Sequence, residues 1–423
     1  MKILIVNFSD LEGGAARAAY RLHKSLLAKN IDSKMLVRRK LSDDFTVKTI
    51  GSNKLQKVIS LFRPIMDSLP TRFYKKRTQT AFSPSWFGFS NIVNEINEIK
   101  PDIVHFHWIC AGMIKIEDIE KITVPIVWSI HDMWPFTGGC HYDEECFGFK
   151  QDCQNCKVLS SGNRNLLSSI IFKRKQRIYR KKKDITIIGL SNWINESSKS
   201  SALFKHKRHV NLPNAIDSNI FKPFDKVMAR KLWNLPKNKK LVLYGAMGAT
   251  SDPRKGFKEL AVAINKFTII DDVEFVVFGG SEPKNKSDFE VKTHFLGSVG
   301  DDISLVTLYS AVDVVVVPSK QENLSNVIME SLSCGTPVVA FDIGGNCDMI
   351  EHKKTGYLAK SSTQEALHFD TDDLKYGIEW VLNNKDYDLL CRNARRKVLK
   401  EFDSVIVSKK YIDVYQDILK RIN

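Results

Sequence analysis

The chain has 423 residues, enough for roughly two or three domains with cores of their own. Hydrophobic residues make up 43% and charged residues 26%, which excludes wholesale disorder and a collagen-like chain. The formal net charge of +16, dense at 72–77 and 173–183, predicts an anionic partner: nucleic acid, lipid headgroups or a phosphate-bearing substrate.

The opening run MKILIVNFSD is too short for a signal peptide and reads as a strand at 3–8. No uninterrupted apolar stretch reaches transmembrane length, so a cytoplasmic chain is expected. Its eight cysteines then lie in a reducing compartment, where metal ligation or plain burial is expected rather than disulfides. After the first strand, Gly13 and Gly14 let the backbone approach a ligand closely, and Ala15 and Ala16 begin a helix with free amides. The spacing is not GxGxxG, so no dinucleotide cofactor is expected, and a bare glycine pair also serves as a plain turn.

The segments 54–77 and 166–183 each join an amphipathic pattern to a basic end. Such a helix either lies on anionic headgroups or faces a core with its charged end in water. Strands are predicted at 102–107 and 124–130. His105 and His107 alternate along the first and are expected to face opposite sides, at least one of them structural. His131 and Asp132 follow the second strand at its carboxyl edge, where a histidine can donate to a hydroxyl or stabilise developing charge. The loop 138–157 then brings Cys140, Cys146, Cys153 and Cys156, including one C-x-x-C. They form either a structural zinc site that folds an otherwise coreless loop or a set of reduced, unligated thiols.

A strand at 185–190 closes the first series. The Pro- and Asn-bearing stretch 211–223 separates it from strands at 241–246, 273–280, 313–318 and 337–342. Continuous apolar strands alternating with helices predict doubly wound α/β domains with parallel sheets. The expected division is 1–210, 215–400 and a C-terminal helix, 401–423, packing back on the first domain. Ligands are expected beyond the carboxyl ends of the strands.

The stretch 321-QENLSNVIMESLSCGTPVVAF-341 places Glu322 in a loop and Glu330 on a helix capped by Ser325 or Asn323 and stopped at Gly335. Within one helix, eight positions amount to ~12 Å of rise and about 80° of rotation, so the two carboxylates are not a dyad. They can instead grip two ends of an elongated ligand, with the helix-start amides between them suited to phosphate. Spacing alone favours a plainer reading, a solvated Glu322 and a Glu330 capping or pairing within the fold.

The whole string resembles the donor site of retaining glycosyltransferases of family four, which have the GT-B fold: two Rossmann-like domains facing a central cleft, with a C-terminal helix crossing back. The resemblance implies that Glu330 holds the donor ribose hydroxyls and that Glu322 lies at the transferred sugar. It also implies that His131 is the active-site histidine and that the Gly13–Gly14 loop faces the diphosphate and acceptor. In 245-GAMGATSDPRKGF-257, Lys255 matches the family lysine that clamps the donor phosphates. The family arginine is replaced by Ala246, and Arg254 is the candidate substitute. Leu324 and Ser325 stand where many members have Phe-Gly, and with Asn326 they belong to the expected donor contacts.

The implied activity is retaining, metal-independent transfer from a nucleoside diphosphate sugar to a glycan or lipid-linked glycan in surface polysaccharide biosynthesis, without nucleic acid. The chain would be cytoplasmic or peripheral on the inner membrane face. The alternatives are a nucleotide-sugar epimerase on the same fold and a basic zinc-containing nucleic-acid-binding protein. A glycoside hydrolase needs carboxylates flanking one bond. The carboxylates of 370-DTD-372 resemble a metal motif of another transferase fold, but at the head of a predicted helix they read as an N-cap.

Overall fold

The computed structural model describes the chain except residues 52–61, 88–90, 161–165, 246–247, 249–251, 268–271, 280–290, 363–367 and 423. The chain divides into two compact units, Met1–Asn214 with Ser408–Asn423, and Ala215–Val407.

The first unit holds a seven-stranded parallel sheet: β1 (Lys2–Ser9), β2 (Asp32–Arg39), β3 (Val47–Thr49), β4 (Ile103–Phe106), β5 (Ile126–Ile130), β6 (Ile185–Gly189) and β7 (Arg208–Asn211). Their order is β3-β2-β1-β4-β5-β6-β7. Runs such as IVWSI and ITIIG, buried at every position, need helices on both faces, and these are α1 (Gly14–Leu27), α2 (Ile92–Ile99), α3 (Leu166–Lys181) and α4 (Asn192–Lys199). In α1 the stripe Ala16, Ala19, Leu22, His23 and Leu26 is buried, its small residues allowing close approach to the sheet. The core is rich in aromatics: Trp128 meets Phe106, Tyr179 and Phe204 edge-on, at centroid distances of 5.5, 5.9 and 6.2 Å. Full burial of such side chains stabilises by roughly 1.5–3 kcal/mol each.

The second unit repeats the plan with β8 (Lys240–Gly245), β9 (Val273–Phe278), β10 (Thr293–Phe295), β11 (Val314–Val317), β12 (Val338–Phe341) and β13 (Gly356–Ala359). The order is β10-β9-β8-β11-β12-β13, again parallel. Its main helices are α5 (Lys226–Leu232), α6 (Phe257–Ile264), α7 (Asp302–Ala311), α8 (Asn326–Ser333), α9 (Thr371–Leu382) and α10 (Tyr387–Glu401). Asp370 caps α9 by accepting from the amides of Asp372 and Asp373, so the DTD carboxylates are helix-start groups, as expected from their position. The last helix, α11 (Ser404–Lys420), brings residues from Ser408 onward into the first unit.

All eight strands expected from the sequence form. The strands β2, β3, β7, β10 and β13 were not anticipated. In DSKMLVRR the charged ends obscure a run, Met35 to Arg38, that is buried throughout. The expectation that His105 and His107 face opposite sides fails. Residues two apart on an extended chain share a face, and their ring centroids stand 4.5 Å apart. Among the described residues, no helix is long and apolar enough to cross a membrane.

Candidate functional site

In each sheet the strand order reverses beside its first strand, between β1 and β4 and between β8 and β11. The carboxyl ends at such a switch point diverge and leave a crevice for a ligand. In the second unit a shallow depression lies there, lined among others by Gly245, Lys255, Pro318, Ser319, Glu322 and Ser325. It therefore collects several of the residues singled out by sequence.

Lys255 reaches it from a short turn after β8, held by Gly256. That glycine has φ +73°, and a Cβ there would lie 1.8 Å from the carbonyl oxygen of Pro318, so only glycine lets the turn close on the end of β11. The Lys255 Nζ donates to Glu322 Oε2 at 2.8 Å, and Ser319 Oγ donates to the same oxygen at 3.3 Å. Glu322 is fixed from behind by Gly344 and Gly345. The Gly345 amide donates to the Glu322 carbonyl at 3.2 Å, and a Cβ on Gly344, at φ +51°, would meet that carbonyl oxygen at 2.0 Å. Arg254 forks onto Asp252 within its own loop, with Nε 3.2 Å from Oδ1 and a terminal nitrogen 2.6 Å from Oδ2. This guanidinium holds the Asp252 carboxyl below the usual range, against burial, which acts to raise it. Ala246 lies outside the described residues.

The segment from Leu324 to Asn326 leads into α8. Leu324 is buried, Ser325 caps the helix through the Ile328 amide, and Asn326 opens it. Ser325 and Val327, at the start of α8, line the same crevice, at the end of the helix that favours negative charge. Glu330, on α8, is 3% exposed and its Oε2 accepts from the Tyr309 hydroxyl at 2.9 Å. The two glutamates thus have different partners, in keeping with two separate carboxylates rather than a dyad.

In the first unit, His131 follows β5 and its Nε2 lies 2.8 Å from His107 Nδ1. His105 is wholly buried, with Nδ1 2.7 Å from the Tyr415 hydroxyl and Nε2 2.8 Å from Ser129 Oγ. Burial pushes the His131 pKa down to about 4 and that of His105 to about 3, so both imidazoles are neutral near pH 7. Asp132 accepts from the Trp108 indole at 3.0 Å, the Trp134 amide at 2.9 Å and, at 2.6 Å, meets His141 Nδ1. Its role is to hold the loop that follows β5. Gly13, at φ +95° with open space where a Cβ would stand, precedes α1, and Gly14 is that helix's first residue. Asp10 ties this loop down by accepting from the amides of Leu41 and Ser42 at 2.8 and 2.9 Å.

Cys140, Cys153 and Cys156 are buried and Cys146 half-buried, all as free thiols. The apolar stripe of α3, with Ile171, Phe172, Ile178 and Tyr179, is buried in the first unit. Of the two readings of 166–183, the core-facing helix with a basic end describes the structure. The corresponding stretch 54–77 falls partly outside the described residues.

Sequence reasoning passed over Ser319, Tyr309, Gly344, Gly345, Asp10 and His107 as members of these clusters. The pair 344-GG-345 just after a buried strand carried the same signal as Gly13 and Gly14. Tyr309 carried none, because its contact with Glu330 spans 21 positions.

Residues 238–374 match the family model of Glycosyl transferases group 1. An uncharacterised glycosyltransferase of Methanocaldococcus jannaschii is 25% identical over 200 residues, 45% of this chain and 48% of that protein. The UDP-Gal:alpha-D-GlcNAc-diphosphoundecaprenol alpha-1,3-galactosyltransferase of Escherichia coli is 25% identical over 217 residues, 49% of this chain and 54% of that protein. The chain thus spans about half the length of these two relatives. A protein of Escherichia coli K12 named for colanic acid biosynthesis, the glycosyl transferase WcaC, is 23% identical over 80% of this chain and 83% of its own length. Among solved structures, sucrose-phosphate synthase from Thermosynechococcus elongatus superposes with a TM-score of 0.69 at 18% identity, covering 100% of both chains. The architecture is GT-B.

Proposed function

We propose that this chain, of GT-B fold and with residues 238–374 matching the model of Glycosyl transferases group 1, is a retaining glycosyltransferase. It takes a nucleoside diphosphate sugar as donor and a glycan or lipid-linked glycan as acceptor, in surface polysaccharide synthesis. The observation that carries this reading is the meeting of Lys255 and Glu322, 2.8 Å apart at the switch point of the second sheet, beside the capped start of α8. A cation, a row of helix-start amides and a carboxylate in one crevice match the diphosphate and the sugar of such a donor.

On this reading Lys255 exchanges its bond to Glu322 for a bond to the donor diphosphate, and the α8 amides share the charge that develops as the diphosphate departs. This set of fixed donors stands in for a catalytic metal. Glu322, released from Lys255, turns its negative charge to the sugar carbon as it becomes positive. Glu330 receives the ribose hydroxyls. Arg254 reaches the phosphates only by leaving Asp252. In the first unit, neutral His131 donates to or accepts from a sugar hydroxyl, and the Gly13–Gly14 loop offers its amides on the acceptor side. The names of the galactosyltransferase and of WcaC support a lipid-linked acceptor and a role in polysaccharide synthesis. An epimerase and a nucleic-acid-binding protein lack comparable support.

The test is a thermal-shift panel of UDP-, GDP- and ADP-sugars against the chain and its Glu330→Ala variant. Stabilisation of the unsubstituted chain by one nucleotide class, reduced in the variant, is expected. No stabilisation by any of them, or equal stabilisation of both proteins, would overturn the donor-site assignment.

A further inference from the structure

The stretch 131–160 after β5 is built from short turns and irregular backbone, yet it buries Cys140, Cys153 and Cys156 at 2%, 4% and 4% exposure. The four thiols form one neighbourhood. Cys140 and Cys156 share a hydrogen bond, Cys153 interacts electrostatically with Cys140, Cys146 and Cys156, and Cys146 does so with Cys156. Backbone amides are aimed at the sulfurs. The Gly138 N–H donates to Cys153 Sγ at 3.2 Å, the amides of Gly148 and Lys157 face the Cys146 sulfur, and those of Val158 and Leu159 face the Cys156 sulfur. Amides two or three positions beyond a cysteine and turned back on its sulfur stabilise a thiolate, whereas a thiol gains little from them.

The second observation is Lys175 on α3, 0% exposed. Its Nζ donates to the carbonyls of Trp134 and Thr137, the latter at 3.1 Å, and lies 3.7 Å from the Trp134 ring centroid. The ionisable groups near it are Cys110, Cys140, Cys153 and Asp132. A buried ammonium facing neutral thiols carries a large desolvation cost, which a nearby anionic cluster would offset.

We propose that Cys140, Cys146, Cys153 and Cys156 bind one structural zinc ion as a closed four-thiolate site, with Lys175 as its buried counter-cation. On binding, four thiol protons leave to solvent and four Zn–S bonds form at about 2.3 Å. The site then carries a formal charge of about −2, of which Lys175 neutralises one, and the N–H···S bonds spread the remainder. Among the described residues, no three His, Cys, Asp or Glu side chains already converge on a metal-sized point. Binding therefore closes the loop on the ion and couples metal affinity to folding. Four protein ligands leave no open position, so the ion has a structural role. The site is separate from the donor crevice of the second unit and stands or falls independently of it.

The full chain, purified under reducing conditions without chelators, is expected to hold about one zinc per molecule by plasma mass spectrometry, and its cobalt-loaded form to show tetrahedral thiolate-to-cobalt charge-transfer bands. Cys153→Ser and Cys156→Ser should lose the metal, and Cys347→Ser, on the other unit, should keep it. Lys175→Met should release zinc at roughly tenfold lower chelator concentration, from the loss of about 1.4 kcal/mol. Because the cysteine variants can fail to fold, the cobalt spectrum of the unsubstituted chain carries the test by itself. Less than about one-tenth of a zinc per chain without a cobalt band, iron in its place, or a disulfide joining two of the four cysteines would overturn the assignment.

Discussion

Replacing Glu330 by glutamine isolates the charge of one carboxylate while keeping its shape. Glu330 is 3% exposed and accepts from the Tyr309 hydroxyl at 2.9 Å, a bond that the glutamine carbonyl can also accept, so the second unit should remain folded. Truncation to alanine would strand that hydroxyl, at a cost of about 1–3 kcal/mol, and mix stability with binding. A hydrogen bond from a ribose hydroxyl to a carboxylate is worth about 1.5–3 kcal/mol, and to a neutral amide about 0.5–1.5 kcal/mol. The expected loss is therefore about 1–1.5 kcal/mol per hydroxyl, or roughly tenfold in affinity for one and roughly hundredfold for two. The assay is a calorimetric titration with whichever of UDP, GDP or ADP binds the unsubstituted chain, beside urea unfolding of both proteins. An affinity unchanged within about twofold, in a variant of equal stability, would refute the assignment of Glu330 to the ribose.

Lys255→Met should weaken a nucleoside diphosphate by about 10–150-fold, the loss of one charge-assisted bond, and leave the free nucleoside nearly unaffected; equal losses for both would place Lys255 away from the phosphates. Gly256→Ala meets both a φ of +73° and a contact of 1.8 Å with the Pro318 oxygen, so chemical denaturation should show a loss of more than about 2 kcal/mol, and a change below about 0.5 kcal/mol would contradict the close approach. The histidine pKa values supply a pH signature. Burial lowers His23 to about 4 and His105 to about 3, so each favours the fold fully above the unfolded value near 6.5 and withdraws that support as pH falls from 6.5 toward its folded value. Each adds at most about 1.4 kcal/mol per pH unit. Urea midpoints at pH 7, 6 and 5 should fall accordingly and flatten in His23→Asn, and midpoints constant over that range would show that these imidazoles titrate alike in the folded and unfolded chain.

The fold was legible wherever local rules operate. Continuous apolar runs announced eight strands, and Ser325, Gly335 and Asp370 marked helix ends, because capping and burial act within a few residues. The strand β2 was not legible, since Asp32, Lys34 and the arginines at its end mask a buried run. At the histidines the period-two rule was present in HFHW and was misapplied. The glutamate string was enough to point to a donor-type site, because its small residues, cap and glycine stop are all local.

Which side chains meet is a different matter. Lys255 and Glu322 are 67 positions apart, and Tyr309 reaches Glu330 from the preceding helix. The strand order brings these partners together, by setting β11 beside β8 at the switch point. The burial of Lys175 beside the cysteine loop likewise depends on α3 packing across it, and composition alone placed that lysine in a solvated basic run. The sequence by itself determined the eight apolar strands and the helix caps, since those follow from each residue's nearest neighbours along the chain. Only the tertiary structure decided which charges are paired and which are buried, because electrostatic partners and desolvation depend on distance in space.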